Sequence, residues 1–169
     1  MKLNKLQKKI GISFKDDKLL IQALTHKSFD TKNNYEKLEF LGDRVLGFVI
    51  SKKLLELYPN EKVGMIDKKL ANLVNKNKCF EIGKELELDN YILTGNTEKK
   101  KKVNIEKKII SDCCESLIGA IYLDKGFEVS SKFILNYWKN YLNLSDITVI
   151  DSKTRLQEYS LKKFKVLPI

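Results

Sequence analysis

The sequence predicts an all-α fold. Apolar residues recur at helical offsets along most of the chain, and no run of alternating apolar and polar residues is bounded by turn signals on both sides. A long helical pattern over residues 33–58 is closed by Pro59 and Asn60, and this segment is the expected centre of the fold. With 169 residues, 43% of them hydrophobic, the chain can bury one core and carry a small appendage, but not two full domains.

In order, Asp16 and Asp17 open a helix through Leu19, Leu20, Ile21, Ala23 and Leu24 that ends near His26 to Ser28. The long helix follows, with Leu38, Leu41, Val45, Phe48 and Val49 among its apolar positions. Residues 65–75 and 78–86 read as shorter helices joined near Asn77, although Gly83 weakens the second. Residues 94–108, TGNTEKKKKVNIEKK, have no periodicity and read as a flexible basic loop. Two helices then close the core. One spans residues 109–123 and stops at the Gly126 turn, and the other spans 128–142 with Phe133, Ile134, Tyr137, Trp138 and Tyr141 at helical spacing. A linker over 145–152 leads to a last helical stretch within 153–169.

Composition narrows the function classes. Lys and Arg number 32 against 22 acids, a net charge of +10, which suits a polyanion such as nucleic acid through counterion release. Because Arg occurs only at Arg44 and Arg155, a Lys-rich solvated surface accounts for the same numbers. No apolar run is long enough for a membrane span, and the N-terminus lacks a signal-peptide stretch before Phe14, so a cytoplasmic protein is expected. Cys79, Cys113 and Cys114 match neither a zinc pattern nor a disulfide framework and read as buried, reduced thiols.

The acids are the anomaly. Glu36, Glu39 and Asp43 lie three and four residues apart, one stripe of a helix beside an apolar face. In residues 109–123, IISDCCESLIGAIYL, the only charges are Asp112 and Glu115, again one turn apart. Carboxylates in such surroundings are costly unless they meet a cation or hydrogen bonds, and clustering adds repulsion. Solvent-facing pairing with the abundant lysines is one resolution, although residues 45–50 and 113–123 contain none. A hard divalent ion is the other, and Mg²⁺, which takes oxygen ligands and keeps several waters, fits two helices that each offer a pair. His26 has no evident partner for nucleophilic catalysis, and neither GxSxG nor a P-loop is present. Hydrolysis of a phosphodiester by metal-activated water is the reaction class that remains.

EKLEFLGDRVL, residues 36–46, closely resembles the signature of the ribonuclease III family, and three further stretches agree in order: LLIQALTHKSF, DCCESLIGAIYLDKGF and DSKTRLQEYS. The resemblance covers essentially the whole chain and implies a helical dimer whose two active sites line a valley for double-stranded RNA. Each site would cut one strand, leaving 5′-phosphate and 3′-hydroxyl ends with a short 3′ overhang. It implies that Glu39, Asp43, Asp112 and Glu115 bind Mg²⁺, with Mn²⁺ able to substitute, and that Asp43 and Glu115 are catalytic. Glu36 would support the site and the dimer interface, and Gly42 would allow close helix approach beside Asp43.

Residues 1–144 would form the catalytic domain, and 153–169 a truncated first helix of a double-stranded RNA-binding domain. No small-molecule cofactor and no membrane are expected, and ribosomal and messenger RNA precursors are the expected substrates. The rivals are a compact relative lacking the RNA-binding domain, opposed by DSKTRLQEYS, and a non-catalytic RNA-binding or ribosome-associated homologue, opposed by the presence of all four acids.

Some positions depart from the family's pattern or admit more than one role. Val63 stands before Gly64 where the family often has an acid, Ser116 replaces a small Ala, and Arg44 follows Asp43 where many members have Ser or Ala. Arg44 could contact phosphate, steady a neighbouring acid or reach solvent. Lys99, Lys100, Lys101, Lys102, Lys107 and Lys108 are candidate contacts to the RNA backbone, or simply solvated. His26 reads as a capping or core residue, and the aromatics of residues 128–142 as core or dimer packing, because an intact duplex hides its bases.

Overall fold

The computed structural model describes residues 2–95, 105–144 and 152–166. Its helices are α1 (Lys2–Ile10), α2 (Asp17–Ala23), α3 (Glu36–Leu57), α4 (Val63–Leu73), α5 (Lys76–Glu85), α6 (Lys107–Lys125), α7 (Phe127–Asn143) and α8 (Ser152–Phe164), with a 3₁₀ turn at Leu88–Asn90. Among the described residues the only β-type pairing is one parallel bridge, Thr25 to Leu93. There Leu93 N–H donates to the Leu24 carbonyl at 2.8 Å, and His26 N–H to the Leu93 carbonyl at 2.9 Å.

The core is organised around α6 rather than around the longer α3. Every residue from Ile110 to Ile121 is buried, because α2, α3, α5 and α7 all pack on this helix. The closest approach is to α3 and depends on two glycines. A Cβ on Gly42 would coincide with the Glu115 carbonyl, and one on Gly119 would run into the Leu38 carbonyl, so the two backbones meet without side chains between them. Trp138 of α7 is fully buried, and its indole N–H donates to the Leu73 carbonyl at 2.8 Å, satisfying a carbonyl at the α4 C-terminus. The hydroxyl of Ser116 donates to the Ala23 carbonyl at 2.6 Å and fastens α2 to α6.

Several boundaries differ from the sequence expectation, each for a local reason. The helix expected from residue 33 starts at Glu36, because Asn34 Oδ1 accepts from Glu36 N–H and its amide donates to the Asp30 and Thr31 carbonyls, which holds a turn in front of α3. The α4–α5 junction lies at Val74 and Asn75, not Asn77. Asn75 Oδ1 accepts from Lys78 N–H as the N-cap, so α5 begins at Lys76. The segment expected to be a loop up to residue 108 is already helical from Lys107. Residues 96–104 lie outside the described residues, and with them Lys99 to Lys102.

Helix α1 was not expected from the sequence. Leu6 and Ile10 bury one face of it, with Leu3 packed against the core. At the other end, α8 falls where the last helical stretch is expected, while most of the expected linker, residues 145–151, lies outside the described residues.

Candidate metal centre

The Gly42–Gly119 contact decides where the acids fall. Glu39 lies on α3 one turn before Gly42 and Asp43 directly after it, and Asp112 and Glu115 lie on the turns of α6 that approach it. Glu39, Asp112 and Glu115 each offer a carboxylate oxygen, and these oxygens lie within 4.8 Å of one another. Asp112 and Glu115 are 3% and 4% exposed, while Glu39 is half-buried at the border.

Asp43 is not within that tight group. It lines the same cavity of about 730 Å³ as Glu39 and Glu115, but its Oδ2 accepts from Arg44 Nη1 at 3.0 Å. Arg44 is exposed and its guanidinium lies 5.3 Å from the centroid of Phe40, so of its three candidate roles the observed contact is the one to a neighbouring acid.

Glu36 is exposed at the start of α3. It borders this cavity and a smaller one of about 200 Å³, and it pairs with Lys27 at 3.1 Å. Lys108 lies on the lip, 3.9 Å from Asp112 Oδ2, and Lys107 sits 5.1 Å from the centroid of Phe80. Val63 is exposed at the start of α4. His26 is occupied by Ser28: its Nδ1 accepts from Ser28 N–H at 3.1 Å and lies 2.8 Å from Ser28 Oγ. Burial and the neighbouring Lys27 lower its pKa, as suits a neutral structural imidazole.

The electrostatics are those of carboxylates confined together. Burial pushes the Glu115 carboxyl up to about 7, with Asp43 and Glu39 adding repulsion and Lys76 opposing it. Glu39 is raised too, first by burial and then by Asp112. Lysine pairing and burial, two alternatives in the sequence, coexist here. The acids of α6 are buried, and a lysine reaches them.

That lysine, Lys76, was missed by sequence reasoning. Its ammonium lies 2.5 Å from Asp112 Oδ1 and 3.7 Å from Glu39 Oε1. Partial burial would lower its pKa, but the hydrogen bond to Asp112 and the charges of Asp112, Glu115 and Glu39 outweigh this and raise it. The available signal was a lysine opening a helix, where the backbone dipole disfavours cations, but it is legible only once the junction is placed at Asn75. Gly119 was likewise missed as the partner of Gly42.

The donor set suits a hard divalent ion. It consists of oxygens only, comes from two rigid helices, and leaves an open cavity on one side for water and substrate. Cys79, Cys113 and Cys114 are free and buried, and no helix among the described residues is long and apolar enough to cross a membrane.

Comparison with known proteins agrees with this geometry. The family model described as Ribonuclease-III-like matches residues 16–142. The chain is 63% identical to "Ribonuclease 3" of Pelagibacter ubique, covering all of this chain and 77% of that protein. It is 41% identical to "Ribonuclease 3" of Hahella chejuensis, covering 99% of this chain and 77% of that one. A solved nuclease domain of ribonuclease III from Campylobacter jejuni aligns with a TM-score of 0.75 at 37% identity, over 82% of this chain and 97% of its own. A match across most of the chain, and relatives this similar over nearly all of it, leave one conclusion: the chain belongs to the ribonuclease III family.

Proposed function

We propose that the chain is a Mg²⁺-dependent endoribonuclease that hydrolyses phosphodiester bonds of double-stranded RNA as a homodimer. The observation that carries this reading is the convergence of Glu39, Asp112 and Glu115, two of them buried, on one point at the edge of an open cavity. Three oxygen donors so disposed hold a divalent ion, with Mn²⁺ able to replace Mg²⁺. When bound, the ion supplies Lewis acidity toward a phosphate oxygen and an acidified water.

The chain's own residues do the rest. Glu39, Asp112 and Glu115 fix the ion's position because their helices are locked together at Gly42 and Gly119. Asp43, on the same cavity, is the fourth acid and orients water at the scissile phosphate. Arg44, Lys107 and Lys108 at the margin, together with Lys99, Lys100, Lys101 and Lys102, meet backbone phosphates, which carry charge but no sequence. Glu36 supports the site and the dimer. The products carry 5′-phosphate and 3′-hydroxyl ends, and the substrates are ribosomal and messenger RNA precursors.

Dimerisation is supported by the exposed Phe40 and Phe48 on the outer side of α3, and by the Campylobacter jejuni nuclease domain, whose structure concerns a region involved in dimer formation. Three free thiols suit the reducing cytoplasm. The segment 153–169 begins a double-stranded RNA-binding module. A non-catalytic homologue would have lost at least one of the four acids, and none is lost.

The test is Glu115→Gln assayed on long duplex RNA, with Mg²⁺ or with chelator. Cleavage falls by on the order of a thousandfold or more, while circular dichroism and sedimentation stay as in the parent. Turnover equal to the parent's would overturn the assignment.

A further inference from the structure

Lys76 is placed against local rules. It is the first residue of α5, where the helix dipole disfavours a cation, and the first turn of α5 contains no acid to compensate. What stabilises it there is not its own helix but carboxylates from two others, Asp112 of α6 and Glu39 of α3. The two ends of this contact differ in environment. The Asp112 side chain is 4% exposed and cannot turn to water, whereas the Lys76 side chain is 55% exposed on a flexible stem and can retract.

From this geometry we infer that Lys76 is a built-in counter-cation that competes with the divalent ion for the same carboxylate oxygens and so sets the affinity of the metal centre. The inference rests on the metal reading of the acid cluster. Mg²⁺ binds oxygens at about 2.0–2.1 Å, so an ion shared by the oxygens of Glu39, Asp112 and Glu115 sits among them. An ammonium 2.5 Å from Asp112 Oδ1 and 3.7 Å from Glu39 Oε1, oxygens on two of those three carboxylates, already crowds that space. The two cations exclude each other, and metal binding must move Lys76 aside.

Lys108 does not compete in the same way. It approaches the other oxygen of Asp112, Oδ2, at the longer distance of 3.9 Å. Lys76 thereby has two effects. It keeps buried acids from facing one another without a cation, and it raises the concentration of divalent ion needed to load the site.

The experiment is Mn²⁺ binding to the full chain, followed by electron paramagnetic resonance and by calorimetry. The variants are Lys76→Met, which keeps the stem and removes the charge, Lys76→Arg, which keeps the charge, and Glu115→Gln. Lys76→Met is expected to bind Mn²⁺ on the order of tenfold more tightly at unchanged stoichiometry, because a neighbouring positive charge is gone. Lys76→Arg stays near the parent. In chelator, Lys76→Met melts at lower temperature than the parent, and excess Mg²⁺ closes the gap. A purely structural role would not raise metal affinity.

Equal or weaker Mn²⁺ binding by Lys76→Met, with Glu115→Gln losing the ion, overturns the competition and leaves the metal centre standing. Binding that Glu115→Gln leaves intact overturns the metal centre and the competition with it. Should Lys76→Met fail to fold in chelator, Lys76→Gln folded in the presence of Mg²⁺ and then titrated answers the same question.

Discussion

Helices α3 and α6 each carry a pair of acids near the point where they meet, yet they hold them in opposite ways. Helix α6 is enclosed by four other helices, so Asp112 and Glu115 are buried in the core. On α3, the buried face runs through Leu38, Gly42, Val45, Leu46 and Val49, while Phe40 and Phe48 remain exposed, and its acids stand on the boundary. In the proposed metal centre the buried pair therefore bears the desolvation that would draw in a cation, and the boundary pair lines the open cavity. Position on an enclosed helix or on a half-exposed one, rather than residue type, separates the two roles.

The comparison breaks most visibly if the helices are pushed apart. Gly42→Ala would place a methyl group on the Glu115 carbonyl, where the obstacle is backbone, so a loss of about 3 kcal/mol is expected, at the high end for overpacking. Gly47→Ala, five residues along the same helix, meets nothing within 4 Å and should be neutral or stabilising by up to about 1 kcal/mol through helix propensity. Urea unfolding of both variants measures the difference. Equal midpoints would mean that the α3–α6 approach is not governed by Gly42.

A smaller effect sharpens the same contrast through pH. In chelator, the folded chain holds a proton on Glu115 up to about 7, well above its ordinary value, with Glu39 shifted in the same direction. A carboxyl whose folded pKa is raised contributes stability that is complete below its unfolded value and is lost as pH rises through the folded one. Stability in chelator should therefore fall between about pH 5 and pH 8, against a weaker opposing contribution from His26, whose pKa is lowered. Excess Mg²⁺ should flatten the profile, and so should Glu115→Gln without Mg²⁺. A profile in chelator that rises with pH contradicts the burial assigned to Glu115.

Much of the enclosed helix was legible before any coordinates, and less of what surrounds it. Two charges within IISDCCESLIGAIYL stood out as an anomaly, to be resolved by solvent-facing lysine pairs or by a bound ion, and the structure buries them with a lysine in reach. The acids of α3 were legible as a stripe, but not that Asp43 would turn to Arg44 instead of joining the other three, because that depends on side-chain reach at a surface. The start of α5 was misplaced by two residues since Asn75 and Asn77 are equally good caps in isolation, and only packing chooses between them. That shift concealed Lys76. Helix α1 escaped notice because its apolar face is thin and lysine surrounds it, so its stability comes from docking Leu6 and Ile10 rather than from its own pattern.

The smallest effect concerns the far side of α6, where Ser116 is more than a tolerated hydroxyl. Its Oγ donates to the Ala23 carbonyl at 2.6 Å, and Ala23 is the last residue of α2, whose terminal carbonyls lack partners within the helix. Cys113 also points its thiol at that carbonyl, at 3.4 Å, so removing the hydroxyl does not leave the oxygen bare. Ser116→Ala should thus cost only about 0.5 kcal/mol, below the usual value of a buried hydrogen bond. Cys113→Ala alone should cost mainly its lost packing. The double variant strands the carbonyl, and its loss should exceed the sum of the two by about 1 kcal/mol. Strict additivity in urea unfolding would show that the thiol gives no support to α2, leaving Ser116 as the sole donor that holds it to the enclosed helix.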